Sequence, residues 1–159
     1  MALILKNLLF TLVIPGTVAV YVPLAIAGDR AIESGIALIL GGLIITLGAV
    51  IYAWCIWDFA VFGRGTPLPL DAPKKLVIRG LYRYSRNPMY VGVLMVIFGW
   101  AAMFGSTSLL LYALCVGTCF QLFIILYEER RLKVEFGEQY IEYCSKVGRW
   151  LPRLDRRRK

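Results

Sequence analysis

The chain contains no histidine, and its four cysteines include no Cys-x-x-Cys pair. Histidine and closely spaced cysteines are the usual ligands of zinc, and histidine is the commonest proton carrier of catalytic relays. Their absence argues against a Cys/His zinc site and a histidine-based relay, and we expect no metal. Cys115 and Cys119 share one helix face, and we expect both to be buried packing residues.

Charged residues are scarce as well. They make up 18% of the chain and hydrophobic residues 59%, whereas a soluble domain has about 25% charged residues. The apolar residues form long uninterrupted runs, which is the pattern of membrane spans rather than of a soluble core. No charged residue lies in the middle of a run, which argues against a transporter. The sequence therefore predicts an integral membrane protein.

The basic residues, which give the chain a formal net charge of +8, concentrate at 64–86 and 149–159. Basic segments that flank spans follow the positive-inside rule and contact anionic lipid headgroups, so nucleic acid is not expected as a partner. Both segments then lie in the cytoplasm, and an even number of spans places the N-terminus there too. We expect a multi-pass protein of the cell (inner) membrane.

Four apolar runs, at residues 3–27, 35–62, 88–104 and 108–127, predict an all-α integral membrane protein with four transmembrane helices. The first run has features of a signal peptide, but its length favours a retained span. We expect a single membrane domain over 1–159. Its parts are two N-terminal spans (3–62), a cytoplasmic loop (63–87), a helical hairpin (88–127), a cytoplasmic amphipathic helix (128–152) and a basic tail (153–159).

Individual residues sharpen these boundaries. Small residues such as Gly41 and Gly48 in the second span predict close helix packing, either within the chain or in an oligomer. Pro88 is a favoured first-turn residue, and the short GSTS connection at 105–108 forces an antiparallel hairpin. Gly137 is expected to interrupt the last helix. The apolar face predicted for that helix consists of Leu132, Phe136, Tyr140, Tyr143, Cys144 and Val147.

Two polar clusters fall at the same predicted membrane face, one before the third span and one after the fourth. Because the hairpin makes these ends neighbours, Tyr90 and Glu128 are expected to face one pocket. A carboxylate close to hydrocarbon costs about 2–3 kcal/mol unless it is paired or solvated. The alternative is that Glu128 and Glu129 only pair with nearby arginines and that the tyrosines form an interfacial belt.

The segments RGLYRYSRNPMYVG (79–92) and EERRLKVEFGEQYIEYCSKVGRWLP (128–152) together resemble the isoprenylcysteine carboxyl methyltransferase family and its phospholipid methyltransferase relatives. The family pattern is Gly-x-Tyr, Arg-His-Pro-x-Tyr-x-Gly, a helical hairpin, Glu-Glu and Phe-Gly-x-x-Tyr. The resemblance covers residues 74–152, and its specificity lies in the order and spacing of the motifs.

The resemblance implies an S-adenosyl-L-methionine (SAM) site in and around the cytoplasmic loop. Glu128 would hold the amino group of the methionine part, for which a carboxylate is suited. Glu129 and Tyr90 are the candidate catalytic residues, because an amine acceptor would have to lose a proton. The cofactor-binding positions implied are Lys74, Lys75, Leu76, Val77, Tyr82, Asn87, Pro88, Met89, Tyr90 and Glu128.

The chain departs from the family pattern at two positions. Asn87 stands where the family has histidine, and an amide forms hydrogen bonds but is no base at neutral pH. Ile124 stands where the prenylcysteine enzymes carry an arginine thought to address the substrate, which makes it the candidate substrate-binding position. Cofactor binding is thus expected to be retained, while the acceptor is left open.

The resemblance implies a SAM-dependent methyltransferase for a membrane-embedded or hydrophobic acceptor, with carboxyl O-methylation as the expected reaction. One alternative keeps the chemistry and changes the acceptor to an ethanolamine phospholipid or another small hydrophobic molecule. The other is a non-catalytic membrane scaffold with a degenerate site. The expected partners are the lipid bilayer and the hydrophobic methyl acceptor. The sequence is compatible with an oligomer and does not decide the oligomeric state.

Overall fold

The structure of the protein is a computed structural model that describes residues 2–63 and 76–153, with side chains from residue 9 onwards. Lys74 and Lys75 lie outside the described residues, and so do the prolines of the predicted cytoplasmic loop, Pro67, Pro69 and Pro73. Within these limits the regular structure is helical, as the all-α prediction requires. The α-helices are α1 (Ala2–Gly16), α2 (Val22–Ala27), α3 (Ile36–Asp58), α4 (Pro88–Met103), α5 (Thr107–Phe123) and α6 (Glu129–Lys146).

Short irregular turns join several of these helices. A π-helical turn at Thr17–Tyr21 connects α1 to α2, a second at Phe59–Gly63 extends α3, and a third at Ile124–Glu128 connects α5 to α6. A 3₁₀ turn at Gly80–Arg83 precedes α4. Single π-turns inside helices often mark functional positions, and the third of these contains Glu128.

Three helical stretches are long and apolar enough to cross a membrane: Leu9–Ala27, Ile36–Phe62 and Thr107–Lys146. The third predicted span, α4, is apolar but has only 16 residues. At about 1.5 Å per residue it is shorter than a hydrocarbon core of about 30 Å. The protein is therefore helical with at least three candidate spans among the described residues.

Pro23 determines how the first helix is attached to the hairpin. It has no N–H, so it cannot donate to the carbonyls one turn earlier. The carbonyl of Ala19 instead accepts a hydrogen bond from Trp100 Nε1 at 3.0 Å, and that of Val18 accepts one from Tyr112 Oη at 2.8 Å. Side chains of α4 and α5 thus satisfy backbone groups for which lipid offers no partner.

Helices α3 and α4 approach closely through glycines, which confirms the packing predicted for the second span. A methyl group added at Gly48 would lie 2.6 Å from the carbonyl oxygen of Gly92, and one added at Gly99 would lie 2.8 Å from that of Gly41. The backbones therefore meet where no side chain separates them. Gly42 has open space around it, so the small residues do not all serve this contact.

The hairpin between α4 and α5 is closed as the sequence predicts. Gly105 has φ +52°, a left-handed conformation that glycine adopts without strain. The Ser106 N–H donates to the Ala101 carbonyl at 3.0 Å, and the Ser106 side chain accepts from Leu109 N at 3.3 Å. One glycine ends α4 and one serine begins α5.

The last helix continues directly from α5, and Gly137 interrupts it with φ +52° and ψ −127°, as predicted. Its predicted apolar face is confirmed, since Tyr140, Tyr143 and Val147 are buried. That face packs on Leu76 and Ile78 of the extended segment before the 3₁₀ turn. Amphipathic helices commonly lie with their apolar face on a membrane surface. In this protein, much of the apolar face of the last helix is covered by the chain itself.

The expectation that both α5 cysteines are buried is wrong. Cys115 and Cys119 are exposed at the protein surface, whereas Cys55 of α3 is fully buried. In a membrane helix an apolar thiol can face lipid as readily as protein, and Cys119 also borders the cavity described below. Sharing a helix face did not reveal which way the face points.

Candidate active site

A cavity of about 480 Å³ lies where α1, α3, α4 and the α5–α6 junction meet. Its volume falls in the usual range for small-molecule sites, about 300–1,000 Å³. Most of its wall is aliphatic or aromatic. Most charged side chains in the wall come from the α5–α6 junction and the first turns of α6. Arg86, in the segment before α4, contributes a further charge. The cavity therefore combines a charged region with an apolar one.

The 3₁₀ turn at Gly80–Arg83 places Tyr82 at the cavity wall. The Tyr82 side chain is buried, packs edge to face on Phe59 with ring centroids 5.6 Å apart, and touches Cys55. Its carbonyl accepts a hydrogen bond from Tyr143 Oη at 2.6 Å. Burial raises the pKa of Tyr82 well above its ordinary value, so its phenol stays protonated and is no base.

The segment before α4 is tied to the chain that follows α6. Ser85 and Gly148 form an isolated parallel β-bridge, and Arg86 N donates to the Gly148 carbonyl at 2.9 Å. The Arg149 carbonyl accepts from Ser85 Oγ and from Asn87 Nδ2, each at 3.1 Å. The amide of Asn87, which stands at the position of the family histidine, therefore holds the C-terminal segment against the start of α4.

The phenol of Tyr90 donates a hydrogen bond to Glu128 Oε2 at 3.0 Å. Tyr90 lies in the first turn of α4 and Glu128 ends the π-turn after α5, so the hairpin brings them together. The Tyr90 ring also packs on Phe120, with centroids 4.7 Å apart. Both side chains line the cavity, and the hydrogen bond holds one carboxylate oxygen at its wall.

Glu129 is the centre of an ion network beside this pair. Its Oε1 accepts from Arg86 Nη1 at 2.9 Å and from Arg149 Nε at 2.8 Å, and its Oε2 accepts from Arg149 Nη2 at 3.0 Å. These hydrogen bonds raise the pKa of Arg149, which therefore remains a cation. Arg86 Nη1 also donates to Cys144 Sγ at 2.9 Å. Both oxygens of Glu129 are engaged by arginines.

The structure gathers most of the sequence-predicted positions around this one cavity. Pro88 is buried as the first residue of α4 and is not part of the wall, and Lys74 and Lys75 lie outside the described residues. Ile124 is fully buried and contributes an apolar surface. The predicted positions that line the cavity are Leu76, Val77, Tyr82, Asn87, Met89, Tyr90, Ile124, Glu128 and Glu129. Their individual roles stay predictions.

Sequence reasoning missed two parts of the site. The sequence assigns Arg149 only to the basic segment 149–159, although this residue holds Glu129 through its side chain and Asn87 through its carbonyl. The first helix was treated only as a span, although Phe10 and Ile14 line the cavity. Arg149 lies inside the motif GRWLP and could have been singled out there, whereas the first helix carries no such motif.

The residues of the cavity fit a cofactor such as SAM, which carries an ammonium, a carboxylate and a sulfonium. Glu128 provides a carboxylate for a cationic group. Among the described residues, Arg86 Nε is buried without a hydrogen-bond partner, so a donor suited to a carboxylate stands beside the same wall. The aromatic and aliphatic surfaces of Tyr82, Val77 and Met89 suit a flat ring.

Comparison with known proteins identifies the family. The sequence model of the phospholipid methyltransferase family matches residues 36–139, which is more than half of the chain. The chain therefore belongs to the phospholipid methyltransferase family, as the motif resemblance predicted. The match includes the hairpin, Tyr90, Glu128 and Glu129. No solved structure matches the chain significantly.

Three characterised proteins with different named activities are similar in sequence to this chain. The chain is 37% identical over 79 residues to methanethiol S-methyltransferase 2 of Bradyrhizobium diazoefficiens, covering 50% of this chain and 29% of the relative. It is 38% identical over 79 residues to protein-S-isoprenylcysteine O-methyltransferase B of Arabidopsis thaliana, covering 49% and 40%. It is 34% identical over 112 residues to methanethiol S-methyltransferase of Pseudomonas deceptionensis, covering 67% and 42%. The matched regions span less than half the length of these relatives, and all three are named methyltransferases.

Proposed function

We propose that the protein is a SAM-dependent methyltransferase acting on a hydrophobic acceptor in the membrane, by carboxyl O-methylation like that of the isoprenylcysteine carboxyl methyltransferases. The observation that carries this proposal is the Tyr90–Glu128 pair at the wall of a largely apolar cavity. A carboxylate suits a cationic methyl donor, and an apolar wall suits a hydrophobic acceptor. Family membership supports methyl transfer as the reaction class.

The chain's own residues would bind and orient the reactants. When bound, the cofactor supplies an electrophilic methyl group for an in-line displacement. Glu128, oriented by Tyr90, holds the amino group of its methionine part, and Arg86 offers Nε to the carboxylate. The rest of the cofactor is enclosed by Tyr82, Met89 and the segment that begins at Leu76. Lys74 and Lys75 directly precede this segment. Positioning of this kind can account for about 7–11 kcal/mol of a barrier.

The state of the two candidate catalytic residues favours an acceptor that is already ionised. The Tyr90 phenol donates a hydrogen bond to Glu128, and both oxygens of Glu129 accept hydrogen bonds from arginines. Neither group stands ready to take a proton, and a carboxylate acceptor requires no base. Glu129 then acts by holding Arg86 and Arg149 in place rather than by proton transfer.

In the membrane, the protein would have four spans, with α4 as a short third span and both termini in the cytoplasm of a cell (inner) membrane. The basic segments 64–86 and 149–159 support this orientation through the positive-inside rule. The cofactor then reaches the site from the cytoplasm and the acceptor from the bilayer. Arg30→Cys and Arg153→Cys, each made in a chain whose four native cysteines are replaced, test this orientation by reaction with an impermeant maleimide in intact cells. Only Arg30→Cys should react.

The test of the proposal is SAM binding, measured by calorimetry on purified protein in detergent. Glu128→Gln keeps the side-chain size and removes the charge, and we expect at least about tenfold weaker binding because a hydrogen bond to a charged group is lost. Glu142→Gln is the matched control, since Glu142 is exposed, pairs with Lys146 and does not line the cavity. Well-folded wild-type protein that binds no SAM would contradict the proposal and favour a scaffold with a degenerate site.

The acceptor is identified by transfer of a labelled methyl group from SAM to three probes. N-acetyl-S-farnesylcysteine presents a carboxylate, phosphatidylethanolamine an amine, and octanethiol a thiol, the last because two of the relatives are named as thiol methyltransferases. Labelling of the carboxylate probe alone is expected. Preferential labelling of the amine or the thiol would keep the enzyme class and replace the acceptor.

A further inference from the structure

Part of the cavity wall comes from outside the region that defines the family. The family match begins at residue 36, whereas Phe10, Ile14 and Val18 of the first helical segment line the same cavity as Glu128. Their spacing of four residues places them on one helix face. The surface that this helix presents to the cavity is therefore not specified by the family region.

Two polar contacts hold this helix face against the rest of the protein. Thr11 Oγ1 and Tyr52 Oη of α3 are hydrogen bonded at 3.0 Å, and the Val18 carbonyl accepts from Tyr112 Oη of α5 at 2.8 Å. Interhelical hydrogen bonds of this kind stabilise contacts between membrane helices. The helix is thus attached to α3 and to α5 at positions that precede and follow Ile14.

The side of the cavity formed by α1 and α5 is apolar. Cys119, Phe120 and Phe123 of α5 line it together with Phe10 and Ile14. The charged lining residues come instead from the α5–α6 junction, from α6 and from Arg86. The cavity therefore runs from a charged region suited to a methyl donor to an apolar region suited to a hydrocarbon chain.

We infer that the apolar chain of the acceptor binds between α1 and α5, and that Phe10 and Ile14 determine which chain lengths are accepted. This inference rests on the proposed function, because donor and acceptor must share one cavity for methyl transfer. Each methylene that enters an apolar site strengthens binding by roughly fourfold, from about 0.8 kcal/mol per buried methylene. The gain should stop at the chain length that fills the space beside Ile14.

The test compares Ile14→Trp with Leu12→Trp in the full chain. Leu12 lies on the opposite side of the same helix and does not line the cavity, and its exposed fraction (56%) is close to that of Ile14 (48%). The probes are N-acetyl-S-alkylcysteines and n-alkanethiols, each with butyl, octyl and dodecyl chains. KM for each probe, and its affinity by calorimetry in the absence of SAM, are measured for both variants.

We expect Ile14→Trp to raise KM for the dodecyl probe at least tenfold, to leave the butyl probe nearly unchanged, and to leave SAM affinity unchanged. Leu12→Trp should reproduce the wild-type profile. Phe10→Ala serves as a second variant that removes bulk, and it should move the preferred length toward longer chains. Equal chain-length profiles for wild type, Ile14→Trp and Phe10→Ala would overturn the inference.

Failure of the proposed function gives a different result. If the wild type binds no SAM or methylates no probe, the proposed function fails, and the subsite is judged from probe binding alone. Dodecyl-probe affinity lost in Ile14→Trp and kept in Leu12→Trp would still support the subsite. Equal affinity in both variants, or no probe binding by the wild type, would overturn it.

Discussion

Tyr90 and Glu128 are 38 residues apart in sequence, and their side chains are joined by a hydrogen bond of 3.0 Å. The contact exists because α4 and α5 form a tight hairpin whose open end brings the first turn of one helix beside the last turn of the other. Phe120 packs on the Tyr90 ring and limits its movement. The carboxylate is therefore held at the cavity wall before any ligand binds.

Removing the Tyr90 hydroxyl should weaken cofactor binding less than removing the Glu128 charge. Tyr90→Phe keeps the ring and its packing and loses one hydrogen bond to a charged group, worth about 1.5–3 kcal/mol. We expect SAM affinity to fall about fivefold, less than in Glu128→Gln, and the midpoint of thermal unfolding to fall as well, because the lost hydrogen bond lies within the protein. Calorimetry and thermal unfolding measure the two effects. Tyr112→Phe is the matched control, because its hydroxyl bonds a backbone carbonyl away from Glu128. Unaltered SAM affinity in Tyr90→Phe would refute an orienting role for the phenol.

Arg149→Ala should destabilise the protein and also impair the site. The substitution removes two hydrogen bonds to Glu129, which is only 13% exposed, and leaves Arg86 as its remaining partner. Loss of one partner of a largely buried pair costs about 2 kcal/mol or more, measurable as a lower midpoint of thermal unfolding. Arg149→Lys should recover only part of this loss, because a lysine cannot contact both carboxylate oxygens as a fork.

The control for this network is the pair of Lys146 with Glu142, both of which are well exposed. Lys146→Ala should change stability by less than about 0.5 kcal/mol, because an exposed i,i+4 pair contributes little. An effect as large as that of Arg149→Ala would show that charge removal near the C-terminus, rather than the Glu129 network, is responsible.

Gly80→Ala should disturb the position of Tyr82. Gly80 has φ +52°, and a methyl group there would collide with Asp58 Oδ2 and lie 3.0 Å from Trp54 Nε1. The left-handed conformation alone costs about 1–2 kcal/mol for a residue with a side chain. We expect Gly80→Ala to lower the free energy of unfolding by more than this conformational cost, because of the collision with Asp58, and to weaken SAM binding. Gly35→Ala carries the same kind of strain with nothing within 4 Å; equal losses in the two variants would argue against a steric role for Asp58.

Trp100→Phe should leave the Ala19 carbonyl without its side-chain donor. A hydrogen bond between membrane helices contributes about 0.6–1.7 kcal/mol, and thermal unfolding should detect its loss. Pro23 supplies no N–H to the carbonyls of the preceding turn, so adding Pro23→Ala provides a further donor there and should recover part of the loss. A double variant no more stable than Trp100→Phe would show that proline is not the reason for the tryptophan contact.

The sequence alone determined the helical fold class, the hairpin and many of the residues that line the cavity. Long apolar runs predict helices without tertiary information, because in lipid the backbone N–H and C=O groups must form hydrogen bonds within their own segment. Gly105, Ser106, Pro88 and Gly137 act on their own segment, so their effects on helix ends were predictable. The family motifs surrounding Tyr90 and Glu128 are likewise contiguous, and the structure gathers them at one cavity.

Only the tertiary structure decided which distant groups share the site. The carbonyl and side chain of Arg149, the Glu129 network and the wall formed by Phe10 and Ile14 depend on how helices and the C-terminal segment lie against one another. The same holds for Cys115 and Cys119, whose exposure no local pattern revealed. The reason is physical: an apolar helix has much the same composition on every face in a membrane, so helix packing selects the face that becomes a site.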